Sequence, residues 1–448
     1  MAVQLPPGIN RRYAILAAVA LGTIWLWVAL DRPYKLPDHI SWNIYANRPL
    51  AGQTELSDAF DFLPLDSEAI RSICGDTQWN ESLVFTCDES VGGIGNIRNS
   101  ILNCIRYVIS AGGSLVVPSI VLRNPSDISQ IRTGVKMDMS YMFDTQHFMD
   151  SMRLSCPQMT LHTSTKDIPD FQNAHDAISL LPESLAGRVP ATGLTDPAAW
   201  RGQFYTWLEQ YSTPEVTGPM IVDLGRSYLT YPIYSDGEGF AISFGSILKF
   251  RSDVRMLATK TLKGLGETLA LDLDLTQEII PNAFFGAHLR TEKDAVEGWP
   301  APDWVYSRYE TQSRLYLEQA PRSNPAIIYV ASGDLNEVAK FALDASNTNT
   351  TDNFRVMTKF DLLQDDDLRE LEELKWDQQG MVDFLVLLKA SDFAGIGHSS
   401  FAWNVALKRH VHAQEKNHLD GPQMLSDELS QIYGNVRGYP EYAACLWP

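Results

Sequence analysis

From Ala283 to Lys408 the sequence alternates short apolar runs with stretches of helical spacing, and this alternation leaves few folds open to the second half of the chain. Residues 283–289 (AFFGAHL), 326–331 (AIIYVA) and 355–357 (RVM) read as strands, as does 392–395 (DFAG). Between them, residues 335–344, 381–389 and 402–408 carry apolar side chains at helical intervals. Strands alternating with helices build βα units and a parallel sheet. The first half contains a similar unit. A glycine-rich turn, Val91-Gly-Gly-Ile-Gly95-Asn96, precedes a helical pattern with apolar residues at 101, 102, 105, 108 and 109. Gly112 and Gly113 end that helix, and Ser114 to Pro118 reads as a buried strand. Helices are expected at 144–156, at 198–211 and from Phe244 to about Leu265, with a strand at 221–224. The acidic stretch Asp272 to Glu278 marks a crossing to a second domain.

At 448 residues the chain exceeds one ordinary core, in keeping with two domains. A formal net charge of −19 excludes wrapping of nucleic acid, because no basic field draws in a polyanion. The glycine-rich turn is not Gly-x-Gly-x-x-Gly and no acidic residue follows at the dinucleotide spacing, which disfavours a nicotinamide cofactor. The five cysteines show neither Cys-x-x-Cys nor Cys/His spacing, so no zinc site is expected.

Arg11 and Arg12 precede an uncharged run from Tyr13 to Leu30, long enough to span a thin bilayer. Arginines on its amino-terminal side favour a cytoplasmic tail (1–12), a signal anchor (13–30) and a lumenal body, making a single-pass type II protein of the endoplasmic reticulum or Golgi membrane. Trp25 and Trp27 suit interfacial anchors better than a cleavage site. Residues 31–66, proline-rich and without periodicity, read as a stem. Asn80 and Asn349 open acceptor sequons for N-glycosylation. In an oxidising lumen Cys74 and Cys87, close in sequence, are the expected disulfide, and Cys104, inside an apolar helical pattern, the expected core thiol.

Three features can hold an anion. His288 and Arg290 sit two apart where a strand runs out, so they share a face, and α/β sheets bind ligands beyond the carboxyl ends of their strands. A guanidinium fork donates two parallel hydrogen bonds to phosphate oxygens. Gly95 and its neighbours let backbone N–H groups approach a ligand at a helix N-terminus, and Ser399-Ser400 opens another helix in the same manner. Asp383 interrupts an apolar helical pattern.

Together these blocks resemble the GDP-fucose protein O-fucosyltransferase family. Gly92-Gly-Ile-Gly95-Asn96 with its helix and strand is similar to the family's glycine-rich opening, His288-Leu-Arg290 and Asp294 to its His-x-Arg motif and following aspartate, and Asp383 to Ser399-Ser400-Phe401 to its third block. The resemblance implies a GT-B-like fold of two Rossmann-like lobes facing a central cleft, with residues 67–270 on the acceptor side, 271–412 on the nucleotide-sugar side and 413–448 packing back on the body. It implies transfer of fucose from GDP-fucose, with inversion, to a Ser/Thr hydroxyl of a secretory-pathway protein, with no metal required. Arg290 would take the donor β-phosphate, Ser399, Ser400 and Phe401 the phosphates, His288 and Asp383 the guanosine end, and Gly95 and Asn96 the lobe interface near the sugar. Some members carry a glutamate in the opening where this chain has Asn96, which cannot act as a base. Asp294, Glu292 or the leaving phosphate itself remain as proton acceptors. Asp272-Leu-Asp274 and Asp365 to Asp367 match a bare metal–diphosphate pattern but read as linker and solvated acidic loop. The alternatives are an inactive lumenal binding protein of the same fold, or a transferase using another nucleotide sugar or a glycan acceptor.

Overall fold

Leu83–Thr86 (β1) is buried along its whole length, as a strand covered by helices on both faces must be, and it is the centre of the first sheet. The structure, a computed structural model, describes residues 56–448 apart from 88–89, 125–126, 175, 212–217, 228, 298–304, 321–326, 348–353, 415–424 and 435–441. Around β1 stand Ser114–Val116 (β2), Leu161–His162 (β5), Ile178–Leu180 (β6) and Met220–Leu224 (β7), in the order β5-β2-β1-β7-β6 and all parallel. Ser119–Val121 (β3) and Lys136–Asp138 (β4) form a separate antiparallel ribbon. The second sheet is also five-stranded and parallel. Its strands are Phe285–His288 (β8), Ile327–Ala331 (β9), Arg355–Met357 (β10), Asp392–Ile396 (β11) and Ser430–Tyr433 (β12), in the order β10-β9-β8-β11-β12. The α/β architecture expected from the strand–helix alternation is therefore present twice.

Five helices position the site: Ile94–Ala111 (α1), Ser252–Leu269 (α2), Tyr309–Gln319 (α3), Trp376–Leu388 (α4) and Ser400–His410 (α5). The first begins earlier than its apolar pattern suggests, so Gly95 and Asn96 lie within its first turn and not in a preceding loop. It ends as expected at Gly112, in the left-handed region (φ 77°), whose N–H donates to Val108 and Ile109 carbonyls. A Cβ there would lie 2.0 Å from the Gln78 carbonyl oxygen, so only glycine fits.

The two sheets share one core. Phe384 of α4 meets Phe250, just ahead of α2, edge-on at 5.4 Å between ring centres. Arg98 of α1 donates to Asn404 Oδ1 of α5 at 3.0 Å. The stretch beyond 412 supplies β12 to the second sheet and returns to the first, where fully buried Trp447 donates its indole N–H to Asn103 Oδ1 at 2.8 Å. Its four-residue strand is too short to stand out by alternation. The last residues of the expected stem belong to the body: Asp58 pairs with Arg255 at 2.8 Å and Asp61 with Lys249 at 2.8 Å.

The cysteines correct the sequence reading. Cys74 pairs with Cys156, not with Cys87, and Cys87 pairs with Cys104, the expected free thiol. Among the described residues the cysteine outside both disulfides is Cys445, which is buried. The reason is topological. A crossover helix packs back over its own strand, bringing Cys104 of α1 over the end of β1, while Cys74 lies in the helix Glu68–Asp76, which packs against the helix Thr145–Ser155 ending beside Cys156. Asn80 is half-buried and accepts the Ser82 N–H through Oδ1 at 3.1 Å. Asn349 and the expected anchor at 13–30 lie outside the described residues. Among the described residues no helix is long and apolar enough to cross a membrane.

Candidate active site

A cleft of about 560 Å³ opens where the carboxyl ends of β8, β9 and β11 meet the N-terminus of α1. Gly95, Asn96, His288, Arg290, Asp294, Asp383, Ser399, Ser400 and Phe401 all line it, although they come from three stretches far apart in the chain. Two helix N-termini converge there. Ser399 caps α5, its hydroxyl accepting the Ala402 N–H, which leaves the first-turn N–H groups of Ser400 and Phe401 without an intrahelical acceptor. The start of α1 abuts the start of α5 so closely that a Cβ on Gly95 would lie 2.7 Å from the Ser400 carbonyl oxygen. Each end carries partial positive charge, and together they favour an anion between them. Gly95→Ala must push one backbone away from the other. It is expected to cost about 1–3 kcal/mol of stability in chemical denaturation and to weaken anion binding measured by calorimetry.

The strand end carrying His288 and Arg290 is held from behind by α3. The Gln312 carboxamide accepts the Arg290 N–H at 2.8 Å and donates to the Arg290 carbonyl at 2.9 Å, and the Tyr316 hydroxyl donates to the His288 carbonyl at 2.9 Å. The Arg290 side chain faces the cleft between two carboxylates, bonding Glu292 Oε2 and Asp294 Oδ2, the latter at 2.7 Å. Burial alone would lower its pKa, but Glu292 and Asp294 outweigh it and hold the guanidinium charged above its usual range. Glu292 spends its other oxygen on the Gly333 N–H at 3.0 Å. Asp294 Oδ1 is buried without a hydrogen-bond partner, and so is Asn96 Oδ1.

His288 packs against Phe401 with ring centres 4.5 Å apart and the rings tilted by 34°. Burial, then the Arg290 charge, pushes the His288 ring down to about 3. Burial, then Arg290 and His288, does the same to His398, also to about 3. Both rings are thus neutral in the folded protein at pH 7. Below pH 6.5 the unfolded chain protonates them while the folded state does not, so stability falls as pH drops through 6.5 and goes on falling until about pH 3. Urea unfolding at pH 7.5 and pH 5 is expected to differ by about 2 kcal/mol for each ring, and His288→Gln is expected to remove its share.

Asp383 is buried, and both its oxygens are engaged. Lys359 Nζ lies 2.5 Å from Oδ2, and the Tyr329 hydroxyl donates to Oδ1 at 2.7 Å. Burial pushes the Asp383 carboxyl above its usual range, and Lys359 opposes that rise. Lys359 carries no motif, yet it follows β10 at the carboxyl end of the second sheet, where the rule that picked out His288 and Arg290 also applies. Arg123, Trp376 and Asp377 line the cleft as well, and no sequence pattern marks them.

The family model described as GDP-fucose protein O-fucosyltransferase matches residues 83–412. No curated protein matches the chain at a significant level. Among solved structures, POFUT1 in complex with GDP is 12% identical with a TM-score of 0.45, over 80% of this chain and 100% of that one. A mutant FUT1 of Arabidopsis thaliana in complex with GDP is 10% identical with a TM-score of 0.40, over 76% and 71% respectively. The fucosyltransferase NodZ from Bradyrhizobium is 12% identical with a TM-score of 0.36, over 73% and 93%. The assignment rests on the family match, which spans the whole first sheet, four of the five strands of the second and every lining residue named above: the chain belongs to the GDP-fucose protein O-fucosyltransferase family.

Proposed function

We propose that this protein transfers fucose from GDP-fucose, held in the cleft, to an acceptor hydroxyl with inversion, as a GT-B-type glycosyltransferase. The observation that carries this reading is the gathering of Arg290 and two helix N-termini at one end of a cleft whose wall also contains the Lys359–Asp383 pair. Cleaving the bond to a diphosphate builds oxocarbenium character on the sugar and negative charge on the leaving oxygen. Preorganised donors stabilise that charge where it develops. Arg290 takes the β-phosphate, and Ser399, Ser400 and Phe401 receive the phosphates through backbone N–H groups and hydroxyls. At the base end, an ammonium beside a carboxylate offers a donor and an acceptor, matching guanine's O6 acceptor and N–H donors. His288, neutral and packed against Phe401, completes that wall.

Inversion needs a proton acceptor on the face away from the diphosphate. Glu292 has committed both oxygens, whereas Asp294 Oδ1 has no hydrogen-bond partner, which favours Asp294 as the base. Asn96 orients the sugar or the attacking hydroxyl from the first lobe. The acceptor is a Ser/Thr hydroxyl of a secretory-pathway protein, and the body lies in the lumen of the endoplasmic reticulum or Golgi behind the anchor at 13–30. The two disulfides support an oxidising compartment.

The test is calorimetric binding of GDP and UDP to the full-length chain in the presence of a chelator, followed by GDP-fucose turnover. GDP binding in preference to UDP, with turnover, is the expected result. GDP binding without turnover on any hydroxyl acceptor would make it a binding protein, and UDP binding alone would change the donor. Asp294→Asn is expected to lower turnover about 100-fold while GDP still binds.

A further inference from the structure

Arg123 has no part in the transfer as described, yet it reaches into the same cleft from the other lobe. It follows the β3–β4 ribbon's first strand, and its side chain is only 9% exposed. The guanidinium lies over the Trp376 ring of the second lobe, 5.4 Å from its centre. One nitrogen donates to the Ile128 carbonyl and lies 3.5 Å from Asp294 Oδ2, the same oxygen that Arg290 holds at 2.7 Å. Its Nε is buried without a hydrogen-bond partner. A Cβ at Gly93 would come within 3.6 Å of Nη1, so the guanidinium stands directly above the glycine-rich start of α1.

The charges of the cleft make this residue matter. Three cationic side chains line it, Arg123, Arg290 and Lys359, against four carboxylates, Glu292, Asp294, Asp377 and Asp383. Lys359 is paired with Asp383 at the end proposed for the base, and Arg290 is shared between Glu292 and Asp294. A nucleoside diphosphate brings further negative charge, which one shared arginine and two helix ends must hold against those carboxylates. Beyond its hydrogen bond to the Ile128 carbonyl, Arg123 has a long contact to a carboxylate and an unused donor, on an arm braced by an aromatic ring. Guanidinium groups suit this use because their forked donors match phosphate oxygens.

We infer that Arg123 is a second donor-binding residue, supplied by the first lobe, which exchanges its contact with Asp294 for the diphosphate and clasps it opposite Arg290. The inference rests on the GDP-sugar reading of the cleft. Because Arg123 comes from the first lobe and Arg290 from the second, diphosphate binding would tie the lobes together, and release of Asp294 Oδ2 from Arg123 would leave that carboxylate less encumbered.

The test compares GDP with guanosine, which keeps base and ribose but lacks phosphate, on the full-length chain by calorimetry and competition. Arg123→Ala is expected to weaken GDP binding about 10- to 100-fold and to leave guanosine binding unchanged. Equal weakening of both ligands would show that Arg123 merely props Trp376 and Asp294, and unchanged GDP affinity would show that it does not touch phosphate; either overturns the inference. If Arg123→Ala does not fold, Arg123→Gln, which keeps a polar side chain under the ring, is measured in the same way, and wild-type GDP affinity in that variant overturns it too. Absence of GDP binding in the unmodified chain would instead defeat the GDP-sugar reading, and the inference with it.

Discussion

Replacing Arg290 with alanine is expected to lower kcat/KM for GDP-fucose by about 1,000-fold or more. Two effects act in the same direction. The variant loses the forked donor that the proposed mechanism places on the departing diphosphate, whose charge is greatest in the transition state. It also leaves Glu292 and Asp294 on the cleft wall without the cation they now share, so the incoming anion meets two uncompensated carboxylates. The fold should survive, because Gln312 grips the Arg290 backbone and not its side chain. Arg290→Lys keeps the charge but not the planar fork and should fall between the two. Initial rates of GDP release, with GDP affinity measured in parallel, decide the matter. A rate within tenfold of the unmodified protein would remove Arg290 from the reaction.

The second large effect is on stability. Lys359 and Asp383 are each only 6% exposed in their side chains. Lys359→Met strands a carboxylate inside the second lobe and is expected to cost about 3–5 kcal/mol in chemical denaturation, as breaking one partner of a buried pair does. Tyr329 still donates to Asp383 and moderates the loss. Adding Asp383→Asn to Lys359→Met should recover part of the cost, since the pair is coupled and the two changes do not add. On the proposed reading of the cleft, in which this donor–acceptor pair faces the base, the same variants should also lose preference for GDP over UDP. A Lys359→Met protein as stable as the unmodified chain would mean that Asp383 is already neutral and that the pair is not ionic.

The residues best read from the sequence were those that sit at element ends. Arg290 stands two residues after the end of β8 and Ser399 caps α5, positions set by local pattern and by the rule that α/β sites lie beyond strand carboxyl ends. Lys359 satisfies that rule too but follows only a three-residue strand, so nothing in its neighbourhood draws attention to it. Arg123 and Gln312 follow no pattern, because their importance arises from what the other lobe or a neighbouring helix brings to them. The cysteines show the same limit. Cys74 and Cys87 are close in sequence, but Cys87 is carried on the end of β1 under α1, and Cys74 on a helix that meets the one leading to Cys156.

The sequence alone determined the parallel α/β character of the chain, because strand burial on both faces and helical spacing are written into local apolar runs. It also marked the two glycine- and serine-opened helices and the His288–Arg290 strand end. Only the tertiary structure decided which of these face one another. The abutting starts of α1 and α5, the reach of Arg123 to Asp294, and the locking of Asp383 by Lys359 and Tyr329 all join residues between 24 and more than 300 positions apart. Contacts at such separations are set by how the two sheets pack, and no local propensity encodes them.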